Sequence, residues 1–333
     1  MLTSFKIASC QSISGTGSLL LAALAVKKVT PDTRVVYITD PTWSNHELLF
    51  RSQGFRVEKL PYVKPDGTLD FDSYLSALRS AEPSSTVVLH ACAHNPSGYD
   101  PSREQWKAVA EAVIERNLFP VFDSAYLGFN SGNVGEDAWA IRYFVEDLGL
   151  EAAVCLSFAK SMGLYGERVG AVAFVLPSAT LAQTAESILE NAQRSTVSNP
   201  PAYGARIAAK VLGEPSIREQ WAKDLLTMSG RIRSMRKRLY EELQKLQTPG
   251  DWSFIIKQSG MFGFTGISAA QVRHLEGMFL QSDSLPATIA KRKHRTANFH
   301  VYMAETSRIS IAGLNEGNVA RFAAALDKTV RTV

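Results

Sequence analysis

Short unbroken apolar runs alternate along this chain with segments whose apolar residues recur at helical spacing. Residues 35–38, 86–90, 119–122, 153–156 and 169–175 have the length and continuity of buried strands. Between them the patterning predicts helices near 18–28, 44–54, 72–81, 102–116 and 136–149. Strands that alternate with helices form a mostly parallel sheet covered on both faces, so the fold class is α/β. From about 215 to 247 one long helix carries Arg231, Arg233, Arg236, Lys237 and Arg238. Beyond it, residues 252–256, 261–264 and 308–311 outline a smaller α/β unit, closed by a helix over 315–331. The expected division is a large domain over 1–225 and a small C-terminal domain over 226–333.

With 333 residues there is room for both, and 45% hydrophobic with 20% charged residues is ordinary for a globular protein. The net charge of +4 is mild. Much of it sits in residues 277–298, where Lys291, Arg292, Lys293 and Arg295 oppose Asp283 alone. A nucleic-acid partner would need a broad basic face with interleaved aromatics, and none is present. The apolar stretch 19–26 is too short to span a bilayer. It follows Ser14-Gly15-Thr16-Gly17 rather than a basic end, so it reads as a buried helix and not as a signal or a membrane element. Cys10, Cys92 and Cys155 are odd in number and widely spaced, which suits free thiols in a reducing, cytoplasmic setting.

A parallel α/β sheet binds ligands at the C-terminal ends of its strands, and the chemically capable residues of this chain cluster there. Lys160 follows the run 153–156 and is crowded by Phe158, Met162 and Leu164. Desolvation beside cations favours its neutral amine, which condenses with an aldehyde. Asp123 ends another run; its carboxylate is either a helix cap or the partner of a protonated pyridine nitrogen. At about 4 Å such a pair interacts by roughly 4 kcal/mol at an effective dielectric of 20. Tyr126 and Asn95 lie where each can donate to a phenolate oxygen on the same ring. Trp43, at a turn, is an aromatic plate that can stack on it.

The glycine-rich turn around Gly15 and Thr16 opens a helix and presents N–H groups to an anion. Ser157 and Arg168 complete a cradle for a phosphate, Arg168 by a bidentate contact. The turn is only half of a dinucleotide pattern, because Leu20 stands where a third glycine is needed. His90 and His94 lie four apart, but Pro96-Ser97-Gly98 breaks any helix there and no third ligand follows, so no metal is expected. Arg194 and Arg308 interrupt turn-rich or apolar sequence, and two guanidinium forks suit the two carboxylates of a dicarboxylic amino acid.

The stretches QSISGTG, PTWSNH, HACAHNPSGYDP, VFDSAYLGF, EDAWAIRYF, LSFAKSMGLYGERVG, SNPPAYGARI, GMFGFTG and SRISIAGL run in order from residue 11 to 314. On these the chain resembles the aspartate aminotransferases, class I pyridoxal-phosphate enzymes of fold type I. The resemblance implies pyridoxal 5'-phosphate as cofactor and a ping-pong exchange of an amino group between aspartate or glutamate and 2-oxo acids, through Lys160. Asp123 would bind the pyridine nitrogen, with Tyr126 and Asn95 at the phenolate oxygen. Gly15, Thr16, Ser157 and Arg168 would hold the phosphate, and Trp43 would lie against the ring. Arg308 would take the substrate's α-carboxylate and Phe262 would line the pocket. Arg194 would take the side-chain carboxylate in the neighbouring subunit of a homodimer that shares its active sites.

The resemblance further implies an N-terminally shortened member. In that family a long segment precedes QSISGTG, supplying an arm around the partner, part of the small domain and a tyrosine for the partner's phosphate site. Here ten residues precede the motif. Residues 277–298 read as an insertion in the small domain, and Ala159 stands where the family usually has serine. Two other readings use the same residues: a cofactor-dependent decarboxylase, lyase or carbon–carbon bond-forming enzyme, and a scaffold that binds the cofactor without turnover.

Overall fold

The computed structural model describes residues 6–30, 35–64, 67–276, 303 and 307–333. The expected insertion at 277–298 lies outside them. The chain separates into two compact units. The first runs up to Asn95 and then over Tyr99–Gly230, and the second comprises Pro96–Gly98 and Arg231–Val333.

The first unit is built on a seven-stranded sheet in the order β1-β7-β6-β5-β4-β2-β3. Its strands are β1 (Ile7–Ile13), β2 (Val35–Asp40), β3 (Arg56–Pro61), β4 (Thr86–His90), β5 (Phe119–Ser124), β6 (Ala152–Ser157) and β7 (Val169–Val175). All neighbours pair in parallel except β7, which runs antiparallel to both β1 and β6. The sheet is therefore mostly parallel, as the alternation of strands and helices implied. Successive residues enter opposite cores: Val35, Tyr37, Val87, Leu89 and Phe122 pack on one face. Val36, Ile38, Val88, Val121 and Cys155 pack on the other. Burial on both sides is why these strands read as continuous apolar runs.

Its helices are α1 (Ser14–Val29), α2 (Ser44–Ser52), α3 (Phe71–Arg79), α4 (Arg103–Glu115), α5 (Val134–Asp137), α6 (Trp139–Arg142), α7 (Ala179–Thr196) and α8 (Ala202–Gly213). α9 (Pro215–Lys245) continues from the first unit into the second. α4 is closed by a capping box in which Ser102 and Gln105 satisfy each other's backbone N–H. The single helix expected over 136–149 is instead α5, α6 and a π-helical turn at Tyr143–Asp147. Ala138 caps one short helix and opens the next, so the apolar periodicity survives while the helix axis breaks. β1, β3, α7 and α8 were not expected from the patterning.

The second unit holds α10 (Phe254–Lys257), β8 (Phe262–Phe264), α11 (Ala269–Glu276), β9 (Arg308–Ser310) and α12 (Val319–Thr332). β8 and β9 pair antiparallel. Cys92 and Cys155 are buried free thiols and Cys10 is half-buried. Among the described residues no helix is long and apolar enough to cross a membrane, and no cluster of ligating side chains is arranged for a metal ion.

Candidate active site

The site lies at the C-terminal ends of the parallel strands of the first unit. β4, β5 and β6 pair in register with His90 beside Asp123 and Asp123 beside Cys155, so Asp123 stands in the middle of the sheet. Two residues further along β6, Ser157 lies beside Gly170 of β7, which in turn lies beside Ser12 of β1. β1 thus delivers the chain into α1 next to Ser157. The hydroxyls of Ser14 and Ser157, 143 residues apart in sequence, are 2.9 Å from each other.

That approach is possible because of glycine. A Cβ on Gly170 would sit 2.4 Å from the Leu156 carbonyl oxygen and 2.9 Å from the Ser14 Cα. A Cβ on Gly15 would come within 3.2 Å of the Ser157 Cβ. α1 has no side-chain cap at its N-terminus, so no side chain satisfies its first-turn N–H groups, and Ser157 stands beside them. Ser157 also accepts from the N–H of Ala159, which holds the turn leading to Lys160. Arg168 adopts a left-handed backbone (φ 52°) and donates to the Tyr165 carbonyl, holding its guanidinium close to the same turn.

Lys160 is half-buried, with its Nζ 4.8 Å from the centre of the buried Tyr126 ring and 5.6 Å from that of Tyr165. Burial pushes its amine below the usual lysine range; Arg168 pushes the same way and the Asp123 charge opposes both. Burial alone would raise the Asp123 carboxyl. The hydrogen bond from His46, helped by smaller electrostatic contributions from the groups around it, outweighs burial and holds Asp123 below the usual carboxylate range.

His46 is the residue that patterning missed. It is fully buried in α2 and its Nε2 lies 3.0 Å from Asp123 Oδ2. Behind it runs a chain of polar groups from His90 through Thr42 to His46. Burial pushes the His90 imidazole down to about 3, so it is neutral and carries one N–H. The Asn95 N–H points at His90 Nδ1, which leaves Nε2–H to donate to the Thr42 oxygen at 3.0 Å. The Thr42 hydroxyl then donates to His46 Nδ1 at 2.9 Å, and His46 donates from Nε2 to Asp123. His94 lies outside this chain, bonded to Thr39 and stacked on Tyr62. His90 and His94 are thus both hydrogen-bonded within the core.

The sequence profile of the family described as "Aminotransferase class I and II" matches residues 2–326. The cytoplasmic aspartate aminotransferase of Saccharomyces cerevisiae is 42% identical over 333 residues, covering 98% of this chain and 75% of that protein. The solved structure of an aspartate aminotransferase from the same yeast's cytoplasm superposes with a TM-score of 0.88 at 43% identity, covering 98% of this chain and 76% of that one. An aromatic-amino-acid aminotransferase from Burkholderia pseudomallei, covalently bound to pyridoxal phosphate, gives a TM-score of 0.89 at 36% identity, with 99% and 78% covered. This chain belongs to the class I and II aminotransferases.

Aminotransferases of this family use pyridoxal phosphate, and the residues present fit that group. An amine pushed below the usual lysine range by burial, a carboxyl held below its usual range by a buried hydrogen bond, and an uncapped helix N-terminus with a hydroxyl suit its aldehyde, ring nitrogen and phosphate in turn. Asn95 and Tyr126 are buried in the same unit, and Trp43 stands edge-on to His46 at 5.3 Å. The remaining expected residues are Arg194, Phe262 and Arg308. Arg194 is exposed in the last turn of α7 and bonds Ser198. Phe262 and Arg308 belong to the second unit, where the Arg308 guanidinium lies 4.5 Å from the Phe262 ring. The signal for His46 was present in PTWSNH, but its role depends on α2 aiming it at β5.

Proposed function

We propose that this aminotransferase exchanges an amino group between aspartate or glutamate and the matching 2-oxo acids, in a ping-pong sequence run by Lys160. The carrying observation is the half-buried Lys160 amine, lowered by burial, with Asp123 held ionised by His46. Bound pyridoxal phosphate supplies the aldehyde that takes up the amino group and a ring that accepts electrons from the Cα–H bond. The chain does the rest. Asp123 pairs with the ring nitrogen and keeps it protonated, while Asn95 and Tyr126 donate to the phenolate oxygen. The first turn of α1 at Gly15 and Thr16, Ser157 and Arg168 hold the phosphate, and Trp43 covers one ring face. Lys160 takes the proton from the substrate Cα and returns it on the far side of the exchange, a transfer that needs its neutral amine.

Arg308 binds the α-carboxylate, beside Phe262. Arg194, exposed on its own chain, reaches the second carboxylate in the partner subunit of a homodimer. The yeast relative's name carries aspartate and the cytoplasm, and both support the same reading here. Purified protein with pyridoxal phosphate, L-aspartate and 2-oxoglutarate should yield oxaloacetate and glutamate in equal amounts. Aromatic amino acids turned over faster than aspartate would refute the substrate class. Carbon dioxide or ammonia released in place of the oxo acid would refute transamination. A mixture of Lys160→Ala and Arg194→Ala subunits should recover activity that neither variant has alone, which tests the shared site.

A further inference from the structure

Within the second unit, Arg236 of α9 is only 3% exposed, and its guanidinium gathers one loop around itself. Nη1 donates to the Ile255 carbonyl and to Gln258 Oε1, each at 3.3 Å. Nη2 donates to the carbonyls of Ser259 at 3.2 Å, Gly260 at 2.8 Å and Phe262 at 2.8 Å. Carbonyl dipoles that converge in this way repel one another unless a cation stands between them, and a buried cation is stable only when its donors are satisfied. The loop and the arginine therefore need each other.

The consequence falls on β8. Gln258, itself buried, accepts from the Phe264 N–H at 3.0 Å and donates to the Phe264 carbonyl at 2.9 Å. Arg236 and Gln258 thus satisfy the edge of β8 that faces away from β9, one residue at each end. The opposite edge pairs Phe262 with Ser310 and Phe264 with Arg308. Gly263 lies between them, where a Cβ would come within 3.0 Å of Ile311 and 3.4 Å of Arg236 Nη1. The position of the Phe262 ring under the Arg308 guanidinium is fixed through this strand.

We propose that Arg236 is a positioning residue for substrate binding: through Phe262 and β8 it sets where the Arg308 guanidinium meets a carboxylate. This rests on the reading of Arg308 as the α-carboxylate site. Arg236 acts on Arg308 through packing and does not touch the substrate. Lysine replaces it only in part, because a tetrahedral ammonium lacks the planar fork that reaches five acceptors at once.

The test uses the cofactor-loaded enzyme and succinate, an unreactive dicarboxylate, titrated by calorimetry beside steady-state kinetics with L-aspartate. Arg308→Ala is the control. Arg236→Met should weaken succinate binding and raise KM together, by roughly tenfold to a hundredfold, as expected for a contact misplaced by about an ångström. kcat and the cofactor absorption should change little. Arg236→Lys should recover part of the loss, and Gln258→Ala should shift both constants in the same direction. If Arg236→Met does not fold, Gln258→Ala decides. Succinate bound as in the wild type by these variants, while Arg308→Ala loses it, overturns the proposal. Succinate retained by Arg308→Ala overturns the reading of Arg308 itself.

Discussion

His46 Nε2 lies 3.0 Å from Asp123 Oδ2, and both side chains are buried. The hydrogen bond holds the carboxyl below its ordinary range against the upward push of burial. Replacing His46 by alanine leaves Asp123 without that donor, and its carboxyl rises. A bond to a charged group contributes about 1.5–3 kcal/mol, so kcat/KM should fall roughly tenfold to a hundredfold. The acid limb of the pH–rate profile should move toward neutral. Because Asp123 is depressed in the folded state, its stabilisation is present above its ordinary value of 3.8 and is lost as pH falls through the folded one. Steady-state kinetics across pH check the shift; an unmoved acid limb counts against this role for His46.

His90 and His94 point to a stability effect at mildly acid pH. Burial holds His90 at about 3 and His94 well below its ordinary 6.5. Between 6.5 and the folded value the unfolded chain binds protons that the folded chain excludes, so stability falls as pH drops. Each histidine contributes about 1.4 kcal/mol per pH unit over that window. Thermal melts at pH 7, 6 and 5 should show a progressive loss of Tm. His90→Gln should flatten the slope.

Arg168 lowers the Lys160 amine by repulsion, on top of the larger effect of burial. Arg168→Gln removes that repulsion, so the amine should move back up toward its ordinary 10.5. The pH at which the cofactor-free protein captures pyridoxal phosphate covalently should rise, as read by absorbance. Capture midpoints that coincide between variant and wild type would show that Arg168 does not act on Lys160. Lys160→Ala should abolish capture altogether.

Gly170 permits α1 to meet β6. Alanine there would press its Cβ on the Leu156 carbonyl and the Ser14 backbone, neither of which is a flexible side-chain end. Overpacking of this kind costs about 3 kcal/mol. Chemical denaturation should show the loss. The affinity for pyridoxal phosphate should fall as well, because Ser14 and Ser157 are forced apart.

Much of the sheet was legible because strands buried on both faces are continuously apolar, as 35–38 and 86–90 are. The edge strand Ile7–Ile13 was not, because only Ala8 and Ser12 are fully buried and IASCQSI carries no such run. α7 was missed for a related reason: only Ala182 and Leu189 are buried among its 18 residues, too few to mark a stripe. Lys160, Asp123 and Ser157 were legible from their place just beyond apolar runs. His46 and Gly170 were not, since their roles depend on groups 77 residues away and on a neighbouring strand.

By itself the sequence determined the α/β class, the family and the chemical groups at the strand ends, because local periodicity and residue type carry that information. Tertiary structure alone decided that β7 runs antiparallel and brings Gly170 beside Ser157. It also decided that α2 turns His46 onto Asp123, and that a buried Arg236 gathers the loop ahead of β8. Each of these is a meeting of distant segments, and the cost of burying a polar group without a partner favours the arrangement in which His46, Asp123 and Arg236 find theirs.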